Sequence, residues 1–209
     1  MRSCLVVTHP SLRYDRAFNV RDEIVRIAGN FAPEDRYILH DNGYASRERC
    51  EDYLHGIKAQ FVFSRWGELN GYLAKDLLHN CDNFTITGHL FGVCHSDTYR
   101  SILADQKKDK IVNVPLRASS VRISGAPASS FVPLVKNPSL DRLRRNHRFV
   151  ELEMDYAQRC AIAFAACYVD SALSLSSDAS IDFQVDGQTV LRSLRKRQKK
   201  VVVDFQLAA

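Results

Sequence analysis

An α/β fold is what the sequence predicts, and three observations carry it. Short apolar runs of strand length recur at residues 3–7, 36–40, 61–63, 84–88 and 110–115, most of them closed by turn-forming residues. Segments with helical spacing of apolar residues lie between them, at 15–28 and 72–78, so strands and helices alternate. Further on, residues 157–166 form an Ala/Cys/Phe-rich run without Gly or Pro. A helix that is apolar nearly all round is a buried one.

The first strand breaks at His9-Pro10-Ser11. In the helix expected over 15–28, Ala17, Phe18, Val20, Ile24, Val25 and Ile27 are the apolar positions, and Gly29-Asn30 stops it. The strand at 36–40 runs into the polar turn Asp41-Asn42-Gly43. After Phe61-Val62-Phe63 comes a glycine-containing turn at 66–71, then the helix at 72–78. The strand at 84–88 enters a loop bounded by Gly88 and Gly92. Residues 119–124 follow the strand at 110–115, and 127–135 is an Ala/Ser/Pro stretch. Asn137-Pro138-Ser139 caps a short helix at 140–145. The alternation Ala172-Leu173-Ser174-Leu175-Ser176 suits a short strand running into Ser177-Asp178. Residues 181–185 read as an edge strand with a turn at Asp186-Gly187, about 188–200 as a basic helix, and 201–207 as an apolar end. No repeat or boundary divides the chain, so 1–209 reads as a single domain.

With 209 residues, 45% hydrophobic and 25% charged, the chain is long enough to bury a core without disulfides or metal. Its longest apolar runs fall far short of a bilayer, so no membrane span is expected. Six cysteines without a CxxC pair argue for reduced thiols and a cytoplasmic location. The net charge of +5 is concentrated in 192–200, where Arg192, Arg195, Lys196, Arg197, Lys199 and Lys200 stand without an acid. A solvated face is one reading of that run, and contact with nucleic acid is the other. His89, Cys94 and His95 have no fourth ligand at metal-site spacing, so no metal is expected.

Val150-Glu151-Leu152-Glu153-Met154, the buried helix and then Ser177-Asp178 resemble the carboxyl-terminal signature of the nucleoside phosphorylase/nucleosidase superfamily, which reads V-E-M-E-A, helix, strand, S-D. A second colinear stretch, D-K-I-V-N-V-P followed by S-V-R-I-S-G, is similar to that family's G-D-I-V-I-P and A-V-R-x-x-G. The resemblance implies a single three-layer α/β/α domain with a central mixed sheet, a homo-oligomer, and cleavage of a nucleoside's N-glycosidic bond by phosphate or water. Under it, Glu153 would hold ribose hydroxyls with Leu152 beneath the sugar. Asp178, beside Ser177, would protonate the departing base. Phe91 would stack on the base, and the Gly88–Gly92 turn would offer backbone N–H groups. Of the family's phosphate-binding set only Arg13 stands here, and Ile86 occupies an arginine position, so phosphate is a possible co-substrate and hydrolysis fits as well as phosphorolysis.

Two alternatives stay open. The chain is similar to an inactive member of that family acting as an interaction subunit. It also has the glycine-to-cysteine interval of isochorismatase-like cysteine hydrolases, from Gly88 to Cys94, with Cys94 as nucleophile. That chemistry calls for an Asp at the end of the first strand and a Lys on a middle strand, where this sequence has Thr8 and Ser64 or Arg65.

Overall fold

The first strand, β1 (Ser3–Thr8), is buried from Cys4 to Thr8, and its side chains alternate between two apolar clusters, which divides the molecule into layers. Cys4 and Val6 enter one apolar cluster, while Leu5 and Val7 enter another, as a period of two demands. The Leu5 side is covered by α1 (Arg21–Ala28) and α2 (Arg47–Leu54), through Ile24, Ile27, Tyr53 and Leu54. The Cys4 side is covered by α3 (Tyr72–Asn80), α4 (Cys94–Ala104), α5 (Asp141–Asn146) and α6 (Tyr156–Leu173). The fold is therefore the three-layer α/β/α arrangement. The structure, a computed structural model, describes residues 1–69, 71–104, 108–121, 124–146, 148–173, 179–194 and 199–207, without the side chains of 72, 73, 90, 145, 146 and 167–173.

The remaining strands are β2 (Arg36–His40), β3 (Gln60–Phe63), β4 (Asn83–Phe91), β5 (Lys110–Pro115), β6 (Ser119–Val121), β7 (Phe149–Glu151), β8 (Ala179–Val185), β9 (Gln188–Ser193) and β10 (Lys199–Gln206). Among the described residues they form one ten-stranded sheet in the order β3-β2-β1-β4-β5-β10-β8-β9-β7, with β6 paired to β4. Pairing is parallel from β3 to β8 and antiparallel at β8–β9 and β9–β7, so the sheet is mixed. From β1 the chain winds outward to β2 and β3, and from β4 it winds the other way to β5. The reversal opens a crevice at the carboxyl ends of β1 and β4, the usual ligand position in a doubly wound sheet.

Several expectations are corrected. Residues 15–20 are turns rather than helix, because the Asp15 carboxylate accepts the N–H groups of Asn19 (2.6 Å) and Val20 (3.0 Å) ahead of α1. The loop expected between Gly88 and Gly92 is largely strand: β4 continues to Phe91 by pairing with β6. The buried helix runs on to Leu173, so Ala172 and Leu173 are helical, and 174–176 lie outside the described residues. The segment at 181–185 is no edge, since β8 lies between β10 and β9. Nor is 188–200 a helix: Gln188–Ser193 is β9 and Lys199 opens β10, with 195–198 outside the described residues. Lys200 is spent on the buried Asp182 at 2.9 Å. The apolar end is interior strand, with Val201, Val203 and Phe205 buried. Cys4 and Cys81 are joined in a disulfide with Cα atoms 6.0 Å apart, which corrects the expectation of six reduced thiols. Among the described residues no helix is long and apolar enough to cross a membrane.

The last register pair of β1 and β4 is Thr8 with Gly88. Gly88 has φ +100, and a Cβ there would stand 2.4 Å from the Thr8 carbonyl oxygen and 2.8 Å from its nitrogen. Backbone cannot give way as a flexible side chain does. Gly88→Ala should therefore cost about 3 kcal/mol of folding free energy. Gly56→Ala, at φ +73 but in open space, should cost only about 1 kcal/mol. Urea unfolding of both variants checks the pair, and equal losses would contradict the close approach.

Candidate functional site

Three strand ends meet at the crevice. Beyond β1 the chain turns at His9, a non-glycine residue with φ 41. Such a conformation persists only where its surroundings over-determine it. Here the His9 N–H donates to the Leu39 carbonyl at 3.0 Å, and its Nε2 lies 2.8 Å from the Ser64 carbonyl just past β3. A carbonyl only accepts, so Nε2 carries the proton and Nδ1 is the basic nitrogen. Burial holds His9 below the ordinary imidazole range, opposed by the Ser64 contact.

The third strand end belongs to β4. After Phe91 the chain turns through Gly92 and Val93, and α4 begins at Cys94, which is buried. The segment after β3 folds onto this helix start. A Cβ on Gly67 would stand 2.1 Å from the Cys94 carbonyl oxygen. The Thr98 hydroxyl lies 2.8 Å from the Gly67 oxygen and 3.1 Å from the Cys94 oxygen, sharing its proton between them. Thus the loops after β3 and β4 are clamped together, with the thiol at their junction.

A cavity of about 930 Å³ opens here, with His9, Tyr14, Asp41, Trp66, Val93 and Cys94 in its wall and Arg13, Arg16 and Arg65 around it. The Asp41 carboxylate is committed to its own turn, accepting the N–H groups of Gly43 (2.7 Å) and Ala45 (2.9 Å). The Tyr14 ring also packs 6.1 Å from that of His89. His89 is fully buried with Nδ1 against the Ser120 hydroxyl, while its Nε2 meets no hydrogen-bond partner among the described residues. His95, in the first turn of α4, is equally buried and faces the carbonyls of Thr87 and Gly88. Burial first, and then a neighbouring imidazole, push His89 and His95 down to about 3. Both are neutral at any ordinary pH. Among the described residues no group of three His, Cys, Asp or Glu side chains is placed to hold a metal.

The residues singled out by sequence are dispersed. Arg13 reaches the cavity wall, and Gly88 and Gly92 lie at the same strand end. Phe91 is core, stacked on Phe164 at 5.6 Å. Glu153 is exposed beyond β7, its carbonyl accepting from Gln188 at 3.3 Å, and the Leu152 N–H donates to the Val190 carbonyl at 2.9 Å. Glu151 is taken by Arg144 and Arg159. Ser177 and Asp178 lie outside the described residues. Strand β7 is five positions from β4 in the sheet, or about 24 Å at the usual strand spacing. The end of β7 and the Gly88–Gly92 segment therefore cannot share one small-molecule site. Sequence reasoning missed His9, Tyr14, Arg16 and Trp66. The signal for them is positional: they follow the first and third strands, whose carboxyl ends converge once the strands are parallel neighbours.

What fold and site define is a doubly wound α/β protein with a thiol at the switch point of its sheet. No protein-family model matches the sequence and no curated protein does. Among solved structures it is similar to the nicotinamidase SaPncA from Staphylococcus aureus, at 18% identity and a TM-score of 0.47, over 66% of this chain and 93% of that one. The resemblance to nucleoside phosphorylases and nucleosidases is corrected by the fold: the two halves of the expected site lie at distant strands. Nucleosidase and glycosyl-transfer chemistry go with it.

The neutral histidines carry a pH signature. In the unfolded chain a histidine protonates near pH 6.5, whereas His89 and His95 in the fold resist until about 3. Below pH 6.5 the unfolded state thus binds protons that the native state does not, and stability falls with pH by up to about 1.4 kcal/mol per unit for each histidine. Unfolding free energies from pH 7 to pH 4 should decline accordingly, and His89→Gln should flatten the slope. A stability that His89→Gln leaves equally steep would contradict the buried, neutral state.

Proposed function

We propose that the protein is a cysteine hydrolase of small acyl compounds, amides or esters, with Cys94 as nucleophile and His9 as its base. The observation that carries this reading is the meeting of Cys94 and His9 in the wall of one cavity at the switch point of the sheet. His9 supports it in a second way. Its protonated Nε2 is tied to Ser64, which fixes the ring with Nδ1 as the basic atom, and burial favours its neutral form. The start of α4 adds a third support, since a helix N-terminus favours negative charge developing beside it.

In this reading His9 Nδ1 takes the thiol proton as Cys94 Sγ attacks the substrate carbonyl carbon. The oxyanion forms beside the first turn of α4. As the intermediate collapses, the C–N or C–O bond breaks, His9 returns the proton to the leaving group, and a thioester remains. Water then attacks the thioester, His9 takes a proton from it, and that proton returns to Sγ as the carboxylic acid departs. Thr8 stands where the isochorismatase-like pattern calls for an acid, and its hydroxyl donates within the sheet to the Thr87 carbonyl at 2.9 Å. That observation favours a second reading, in which the cavity binds the same ligands without turnover.

Cys94→Ala should abolish hydrolysis across a panel of aromatic and aliphatic amides and esters. His9→Gln should lower kcat by about two to four orders of magnitude. Because His9 is held below the ordinary imidazole range, the acid limb of the kcat/KM profile should lie below about pH 6.5, the rate falling as His9 becomes protonated. Wild-type rates in Cys94→Ala would sink the assignment. A wild-type protein that binds panel members without cleaving any would leave the binding reading.

A further inference from the structure

The rim of the cavity has a composition that the chemistry at Cys94 does not require. Arg13, Arg16 and Arg65 surround it, all three exposed, and none takes part in an ion pair among the described residues. Asp41, the carboxylate in the same wall, is occupied by its own turn. A second hollow of about 420 Å³ shares Arg13, Arg16 and Tyr44 and adds Arg49. Arg13 and Arg16 therefore stand as a ridge between the two hollows, with Arg65 on the wall of the larger one.

Aromatic surface accompanies the charge. Tyr44, Phe63 and Trp66 are 47%, 51% and 54% exposed, unusual for side chains of their size, and all three line this cavity. The Arg13 guanidinium lies 3.3 Å from the centre of the Tyr44 ring, and that of Arg65 lies 5.8 Å from Trp66. Stacking occupies a face of the guanidinium and leaves its in-plane N–H edge for an oxyanion. Planar, two-oxygen recognition of a carboxylate or phosphate is what that edge does best. At about 930 Å³ the space is at the upper end for a small-molecule site. It has room for a ring and an anionic group together.

We infer that the ligand of this cavity is an anionic aromatic compound, its ring against Trp66 and Tyr44 and its phosphate or carboxylate held by Arg13, Arg16 and Arg65. The inference rests on the hydrolase reading only in taking that ligand to be the substrate. The reacting carbonyl then lies at Cys94 while the anion stays at the arginine ridge.

Trp66 is the single tryptophan of the chain, so its fluorescence reports on the rim directly. The test uses the full chain carrying Cys94→Ala, which cannot turn a substrate over, titrated with phenyl phosphate, benzoate, neutral benzamide and inorganic phosphate. Phenyl phosphate or benzoate should change Trp66 emission and bind at least about tenfold more tightly than benzamide. Whichever of the two binds more tightly identifies the anion. Inorganic phosphate should bind more weakly than phenyl phosphate, because it lacks the ring. Added salt should weaken the anions and not benzamide. Arg16→Gln and Arg65→Gln, both at exposed positions, should each lower anion affinity about tenfold and leave benzamide unchanged. Equal affinity for benzamide and the anions, anion affinity unchanged in both arginine variants, or no binding of any probe would overturn the inference. Anion-selective binding by a wild-type protein that hydrolyses nothing would leave this inference standing and remove only the hydrolase reading.

Discussion

The contact between Thr8 and Gly88 is the constraint on which the site depends. Two parallel strands end there side by side, with the Thr8 backbone where a Cβ of residue 88 would be. The pair also marks where the winding reverses, since the chain leaves β1 toward β2 and leaves β4 toward α4 and β5. Because the departures diverge, the space between them is unfilled by connecting backbone. His9 comes one residue after Thr8, and Cys94 six after Gly88, through the β4 extension and the Gly92-Val93 turn. His9 and Cys94 reach one cavity because each is a short, fixed distance along the chain from the same strand contact.

The electrostatics form two zones. Beneath the crevice lie His9, His89 and His95, all buried and all driven toward the neutral form by burial. Around its mouth lie arginines that are exposed and unpaired among the described residues. Neutral imidazoles so close together avoid the mutual repulsion that three imidazolium ions would suffer in a low-dielectric interior. They also leave the cationic rim as the main source of field for a ligand entering from solvent. A ligand with an anionic end and a neutral reacting end suits both zones at once, the first at the mouth and the second at the floor.

Legibility in the sequence followed the periodicity of each segment. The parallel strands β1, β2, β3 and β5 are buried on both faces or bounded by turn residues, so they read directly as apolar runs. In helix α6 the run Cys160 to Ala166 read correctly as buried because it presents no polar face, whereas Tyr156 and Ala157 at its start are exposed. What failed were segments whose charge masks their pairing. The β9–β10 region carries cations that suggest a solvated helix, yet β10 lies between β5 and β8, and its lysine is drawn to Asp182 across the sheet. No local pattern reveals that a carboxylate eighteen residues earlier needs a partner. The Glu151-Leu152-Glu153 motif failed for a related reason: short matches carry no information on which strand they sit beside, and β7 is an edge.

The site itself was half legible. The Gly88-to-Cys94 interval was visible, and the fold gives it a physical meaning, because Gly88 must be glycine for the strand contact and Cys94 must follow the turn that starts α4. The partner residues were not legible because the isochorismatase-like pattern calls for an acid and a lysine at places that hold Thr8 and Ser64 or Arg65 here. In the proposed reading, a histidine in a left-handed backbone, one position beyond the strand end, takes the place of that fixed base. Its tautomer is set by the Ser64 carbonyl rather than by a carboxylate, so the imidazole gains orientation without gaining a neighbouring negative charge. A carboxylate there would raise the basicity of the ring, and a carbonyl does so far less. The consequence is a base that stays neutral at lower pH and accepts a proton less avidly. Such a base is compatible with the inferred anionic ligand, which the arginines at the mouth would recruit without a charged base.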